Sequence, residues 1–352
     1  MSDPQNYLYE EKPDIGNRYR EEQKVELDLL VERMRMNGNH NRADFFRPDT
    51  SSIQAYETEI ETYREKFKAM LGWPLNESSS HSSVPQAKVE FVAQDSLCKI
   101  SRVVVEGEYG LTTYGLLFLP LTEGPFPLVI SQHGGEGTPE LCSGLYGPTN
   151  YHDMTRRVLK RGIAVFAPQL LLWKEEYGPK YDRVQMDKQL KQLGSSITAV
   201  EIHKIQMSLD YLLSREDIDA AKVGMIGLSY GGFYTLYTAA VDTRIKAAYS
   251  SCFFNNRFKY DLPDFTWFNS GNTFLDAEIS GLICPRYLHI EIGKSDELFH
   301  FEHALEEMDK VAKSYEQLKI KDRLVLEVFD GVHELNTDDL GIDRFCLAIH
   351  NQ

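Results

Sequence analysis

Ser229 lies in the hexapeptide Gly227-Leu228-Ser229-Tyr230-Gly231-Gly232, with an apolar run from Val223 to Leu228 before it and a stretch of small and aromatic residues from Phe233 to Val241 after it. This is the pattern of a strand that turns sharply into a helix with a serine at the apex. Glycine is required on both sides, because a side chain at Gly227 or Gly231 would collide with the neighbouring strand or helix. A serine hydroxyl is a poor nucleophile at neutral pH. It needs a histidine base, and the histidine needs a carboxylate to fix its tautomer.

In a strand–turn–helix site of this kind the acid and the base follow the serine, each on a loop that leaves a strand. Five histidines follow Ser229. His289 falls within a strand pattern, His300 and His303 on a helix, and His350 at the chain end. His333, in Asp330-Gly331-Val332-His333, comes directly after the last strand pattern and is the expected base. Gly293-Lys294-Ser295-Asp296 follows the preceding strand and makes Asp296 the expected acid. Glu297 is its near rival, with Asp261 and Asp264 behind. Asp296 would also suit a helix N-cap, and His333 an exposed loop. The developing oxyanion needs N–H donors. Tyr230 offers one at the start of the elbow helix, and Gly134 or Gly135, after a buried strand and His133, offers another. His133 precedes the serine and reads as an organiser of that loop.

Together, Gly-Leu-Ser-Tyr-Gly-Gly, His-Gly-Gly, Gly-Lys-Ser-Asp and a late Gly-Val-His resemble the α/β-hydrolase superfamily, and within it the dienelactone-hydrolase and acetyl-xylan-esterase-like group. The approach Ser-Arg-Glu-Asp-Ile-Asp-Ala-Ala-Lys-Val-Gly-Met-Ile-Gly and a helical appendage ending near Leu-Gly-Trp-Pro fit that group too. The likeness covers about residues 90–350. It implies a Ser229–Asp296–His333 triad, with Gly135 and Tyr230 as oxyanion donors and no cofactor. Dienelactone hydrolases proper carry a cysteine nucleophile, so Ser229 turns the expectation toward an esterase. A deacetylase of acylated sugars is the specific version. A compact serine peptidase similar to the prolyl-oligopeptidase catalytic domain is the alternative. A relative that only binds its ligand stands third.

The elements that must hold these residues read as an α/β-hydrolase fold: a mostly parallel sheet with helices on both faces, over residues 86–352. Residues 1–85 read as a tail to about residue 20 and a helical appendage. One helix spans Glu21 to Met36 and stops at Asn37-Gly38-Asn39. A second opens at Ser51 with Gln54 as a capping box, and carries Ile53, Tyr56, Ile60, Tyr63, Phe67 and Met70 on one stripe. A Ser-rich link, Glu77 to Pro85, follows. Lys99–Val105 and Thr112–Leu119 form an expected hairpin. Leu170–Gly194 and Phe254–Leu282 are longer than connections require. Their aromatics (Trp173, Tyr177 and Tyr181 in the first, Phe265, Trp267 and Phe268 in the second) suit either a substrate pocket or packing.

Composition excludes some partners. The 352 residues carry a formal charge of −15, which repels nucleic acid and anionic membrane surfaces. No apolar run reaches membrane-spanning length. Five scattered cysteines read as reduced thiols, and the chain reads as cytoplasmic. His300-Phe301-Glu302-His303 lacks further ligands, so no metal is expected, and no phosphate-binding Gly-rich loop is present. A small-molecule ester is the expected substrate. Oligomeric state is not legible.

Overall fold

The computed structural model describes residues 11–77 and 84–351, so part of the expected tail and most of the Ser-rich link lie outside the described residues. Two helices come first, α1 (Asn17–Phe45) and α2 (Ile53–Leu71). α1 does not stop at Gly38, as its sequence suggests. A Cβ there would lie 2.6 Å from the Gly271 carbonyl oxygen, so Gly38 marks a close approach to the body of the protein. One turn on, the buried Arg42 ties the helix down through Glu278 (2.7 Å) and Glu307 (3.2 Å). α2 is capped by Ser52, whose hydroxyl accepts from the Ala55 N–H, one residue later than the expected Ser51–Gln54 box. Its stripe of Tyr56, Ile60, Tyr63 and Phe67 belongs to the main hydrophobic core.

Strands β1 (Gln86–Gln94), β2 (Cys98–Glu106) and β3 (Thr112–Pro120) form an antiparallel meander, with the expected hairpin in register from Lys99↔Leu119 to Val105↔Thr113. Alternation then gives way to buried runs. These are β4 (Phe126–Gln132), followed by the short helices α3 (Pro139–Cys142) and α4 (Met154–Leu159), and β5 (Ala164–Pro168). The long stretch after β5 contains a helix that sequence reading did not assign, α5 (Arg183–Gln192). α6 (Ile197–Leu212) leads into β6 (Ile218–Leu228), α7 (Tyr230–Val241) and β7 (Ala247–Ser251). α8 (Asp276–Gly281), β8 (Tyr287–Gly293), α9 (Glu302–Gln317), β9 (Leu324–Phe329) and α10 (Leu340–His350) complete the fold.

The nine strands of the described residues form one sheet in the order β1-β2-β3-β5-β4-β6-β7-β8-β9, parallel from β5 onward. Continuous apolar strands such as Leu128-Val129-Ile130 are buried on both faces, as a parallel sheet between helices demands. One core packs α2, α6, α7 and α9 against the sheet. A second holds α4 and α10 against its other face. β4 and β6 are neighbours, yet the chain leaves β4 for β5 on the opposite side. At such a reversal a parallel sheet commonly places its site beyond the carboxyl ends of the strands.

Candidate active site

Ser229 stands at the carboxyl end of β6 with φ 59° and ψ −123°, a conformation that β-branched and most other residues avoid. The turn is possible because nothing projects from its flanks. A Cβ on Gly227 would come within 2.3 Å of Gly231 backbone atoms, and one on Gly231 within 2.1 Å of the Gln132 carbonyl oxygen. The Ser229 N–H donates to the Ser251 carbonyl (2.9 Å), and its own carbonyl accepts from Phe233 (2.9 Å), so the backbone is pinned from β7 and from α7.

The acid and the base come from adjacent loops. The chain leaving β8 donates from Lys294 N–H to the Phe329 carbonyl (2.9 Å) and from Ser295 N–H to the Gly331 carbonyl (2.8 Å). The two loops touch at Gly293, where a Cβ would meet the Val332 carbonyl oxygen at 2.1 Å. This brings His333 Nδ1 to 2.8 Å from Asp296 Oδ2. The second carboxylate oxygen of Asp296 accepts from the N–H groups of Leu298 (2.8 Å) and Phe299 (3.0 Å). Asp296 is buried, which pushes its carboxyl up. The hydrogen bond and charge of His333 and the two backbone donors outweigh that effect and hold it below the usual value. Among the rival acids, Glu297 is exposed, and Asp261 is an exposed partner of Arg35. Asp264 is buried elsewhere, on Arg183 and Tyr230. His300 is exposed, His303 faces Tyr260 and His289 faces Glu327. Of the five late histidines, His333 is the one hydrogen-bonded to Asp296.

The loop after β4 places Gly134 and Gly135 beside the elbow. A Cβ on Gly134 would lie 3.2 Å from Ser229 Cβ, and one on Gly135 would lie 3.2 Å from the Tyr230 ring. The two glycines differ in their donors. The Gly134 N–H is taken by the Tyr151 hydroxyl at 2.6 Å, which corrects its assignment as an oxyanion donor. The N–H groups of Gly135 and Tyr230 find no acceptor among the described residues. Completely buried His133 organises this loop. Its Nδ1–H donates to the Gly134 carbonyl (2.9 Å), and its Nε2 accepts from Leu170 N–H (3.1 Å).

Sequence reading missed a buried polar knot behind the elbow helix. Arg183 of α5 donates to Asp264 (2.7 Å), to Glu201 (2.9 Å), to the Tyr234 hydroxyl (2.7 Å) and to the Leu171 carbonyl (3.0 Å). Asp264 also accepts from the Tyr230 hydroxyl at 3.0 Å, and Arg183 lies 5.5 Å from the Tyr230 ring centre. The two long excursions therefore meet on the residue next to the serine. Their aromatics divide. Phe265 packs on Tyr230 (5.0 Å). Trp267 is buried against Phe233 and Tyr237, where it serves the core. Trp173 sits beside the Gly135 loop through a bridge to Glu136 and is covered by Tyr181. Tyr177 stacks on Tyr146. Phe268 is 97% exposed.

Two groups of potential metal-ligating atoms lie close together among the described residues: Cys252 with Asp296 and His333, and His289 with Glu291 and Glu327. In the first, burial pushes the Cys252 thiol up to about 12, and it donates to the Glu334 carbonyl (3.2 Å) as a neutral group. In the second, both oxygens of Glu291 are taken by Tyr249 and Ser251 (2.6 Å each). His289 meets Glu327 through Nε2 (3.2 Å), while its buried Nδ1 has no hydrogen-bond partner among the described residues.

Comparison with known proteins agrees with this architecture. The protein YtaP of Bacillus subtilis (strain 168), named as a hydrolase, is 29% identical over 215 residues. That match covers 54% of this chain and 66% of YtaP, so the chain spans just under two thirds of its relative's length. Among solved structures, a glucuronoyl esterase from Solibacter usitatus aligns with TM-score 0.62 and 13% identity, over 85% of this chain and 94% of that one. Acetyl xylan esterase 1 from Thermoanaerobacterium aligns with TM-score 0.54 and 16% identity, over 83% and 93%. At these identities the solved structures speak for the fold. The profile of the dienelactone hydrolase family matches residues 142–321, just over half of the chain and all of the elbow and the Asp296 loop. The chain belongs to the dienelactone hydrolase family.

Proposed function

We propose that this protein is a serine hydrolase of carboxylic esters. The observation that carries the reading is the pairing of His333 with Asp296 on the loops beside a strained, glycine-flanked Ser229. His333 takes the Ser229 hydroxyl proton as the oxygen attacks the ester carbonyl. The tetrahedral oxyanion is received by the N–H groups of Tyr230 and Gly135. Collapse expels the alcohol, protonated by His333, and leaves an acyl-serine. Water, deprotonated by the same imidazole, then releases the acid. Asp296 holds the imidazole with Nδ1 protonated, so that Nε2 faces the chemistry. Each oxyanion donor contributes about 3–4 kcal/mol in such a site.

Within esters, an acylated sugar is the substrate class we favour. Structural neighbours are named as acetyl xylan and glucuronoyl esterases, and the aromatic excursions flank the elbow. All five cysteines are free and buried, which suits a reducing compartment, and we place the protein in the cytoplasm. No helix among the described residues is long and apolar enough to cross a membrane.

The test is turnover of p-nitrophenyl acetate and butyrate by wild type and Ser229→Ala, with Ala-Pro p-nitroanilide in parallel. Ester turnover should fall by about 10⁴-fold or more in the variant. Anilide cleavage exceeding ester cleavage would move the assignment to a peptidase. A Ser229 left unlabelled by a small fluorophosphonate would point to a ligand-binding relative.

A further inference from the structure

Between Leu27 and Met34, α1 carries an apolar face that the other described residues leave exposed. Leu27, Leu30, Val31 and Met34 follow the i, i+3, i+4, i+7 spacing of one helix face, and each is between 43 and 62% exposed. The same face continues by steps of four to Gly38 and Arg42, which are buried on the body of the protein. The body therefore covers only the far end of the face, and the near end overhangs. The helix also exposes Tyr19, Val25, Leu29 and Met36, but Leu27, Leu30, Val31 and Met34 are the four that extend the buried face, and together they are a contact surface.

The flanks of this face say what covers it. Glu26 and Arg33 are seven residues apart, so they share one flank, and Asp28 and Arg35, also seven apart, share the other. Each flank runs from acid to base along the helix. A parallel copy of the helix would set acid against acid and base against base. An antiparallel copy, related by a two-fold axis between Leu30 and Val31, sets Glu26 against Arg33 and Asp28 against Arg35 on both sides. The same axis places Leu27 over Met34 and Leu30 over Val31, so the apolar seam matches itself. Self-complementarity of this kind is what a two-fold interface requires. Glu26 and Arg33 make no ion pair among the described residues, whereas Asp28 holds Lys24 (2.6 Å) and Arg35 holds Glu32 (3.2 Å), so the Glu26–Arg33 flank carries the charge pairing. Arg35, which reaches Asp261 (3.1 Å), brings the seam up against the second excursion.

We propose that α1 is the dimerisation element of this protein, pairing antiparallel with α1 of a second copy through Leu27, Leu30, Val31 and Met34. Sedimentation equilibrium of the full chain tests it. Wild type should be a dimer at about 50 µM, well above the dissociation constants expected of a specific interface. Leu30→Glu should be a monomer with an unchanged circular dichroism spectrum. Glu26→Arg and Arg33→Glu should each weaken the dimer about tenfold or more, and the two together should restore it, since the antiparallel pair is rebuilt with reversed sign. A monomeric wild type would overturn the proposal, and so would a dimer indifferent to Leu30→Glu. Charge reversals whose effects add instead of cancelling would overturn the antiparallel arrangement.

Discussion

His133 illustrates how a histidine beside an active site can be denied chemistry by its surroundings. Both ring nitrogens are committed to backbone partners, and the Leu170 N–H donated to Nε2 fixes the proton on Nδ1. Complete burial pushes its pKa down to about 4, against the lesser pull of the Gly134 carbonyl. The unfolded chain, with an ordinary value of about 6.5, binds a proton between these limits that the folded chain does not. Stability from this residue is therefore fully present above about pH 6.5 and is lost as pH falls toward 4. Between about pH 7.5 and pH 5 the loss is roughly 2 kcal/mol. Urea unfolding of wild type and His133→Gln at those two pH values should show the variant losing about that much less. Equal losses would mean that His133 carries a proton in the folded state and that its hydrogen bonds have been misread. The sequence indicated His133 as an organiser through its place before the serine. Residue types alone left Gly134 and Gly135 equal, and only the family resemblance favoured Gly135, because the Tyr151 hydroxyl that occupies one of the two donors comes from a residue with no motif around it.

At the scale of elements, the site was legible where chain order and strand ends decide it, and illegible where packing does. Asp296 and His333 follow from the rule that functional loops leave parallel strands at their carboxyl ends, and the structure pairs them. Arg183, Glu201 and Asp264 come from three separate segments, and nothing in their spacing announces that they meet. α5 was passed over for the same reason: its face toward the core buries only Asp187 and depends on neighbours distant in sequence. The α1 error is instructive in the other direction. Asn37-Gly38-Asn39 has the composition of a helix stop, but the glycine is there to let Gly271 approach. The knot also makes a sharp prediction. Among the described residues Arg183 is the one cation ion-paired to Glu201 and Asp264, both under 5% exposed at the side chain. Arg183→Met would strand both charges, at a cost of about 3–5 kcal/mol in urea unfolding. Because Tyr230 is held by the same group, Arg183→Met should also lower kcat for ester hydrolysis more than it raises KM. A variant as stable as wild type would show that the knot is dispensable and that the excursions are fixed elsewhere.

For the whole molecule, the question is whether the amino-terminal helices are an attachment or part of the catalytic body. The sequence invites a division near residue 85, but α2 contributes to the same core as the elbow helix. Phe67 packs on Tyr237 at 5.5 Å and on Phe274 at 5.3 Å. Arg64 donates to the Ala240 carbonyl (2.8 Å) and the Leu282 carbonyl (3.1 Å), closing the end of α7. Tyr56, Ile60, Tyr63, Phe67 and Leu71 are all under 9% exposed. At about 1.5–3 kcal/mol for each buried large side chain, α2 supplies on the order of 10 kcal/mol. That equals the whole stability of a typical domain, about 5–15 kcal/mol. A chain beginning at residue 86 should therefore fail to fold, expressing as aggregate or binding a hydrophobic dye with no cooperative melt. Phe67→Ala should cost about 3–5 kcal/mol in the full chain, with the active-site geometry intact and full fluorophosphonate labelling of Ser229 below the melting transition. If the shortened chain instead melts cooperatively and reacts at Ser229, the strands and α6–α10 hold the elbow unaided, and α2 is a cover laid over a finished enzyme. If it collapses while Phe67→Ala only loosens, the nucleophile's helix is built from both halves of the chain. The sequence boundary near residue 85 then marks a change of secondary structure within one cooperative unit.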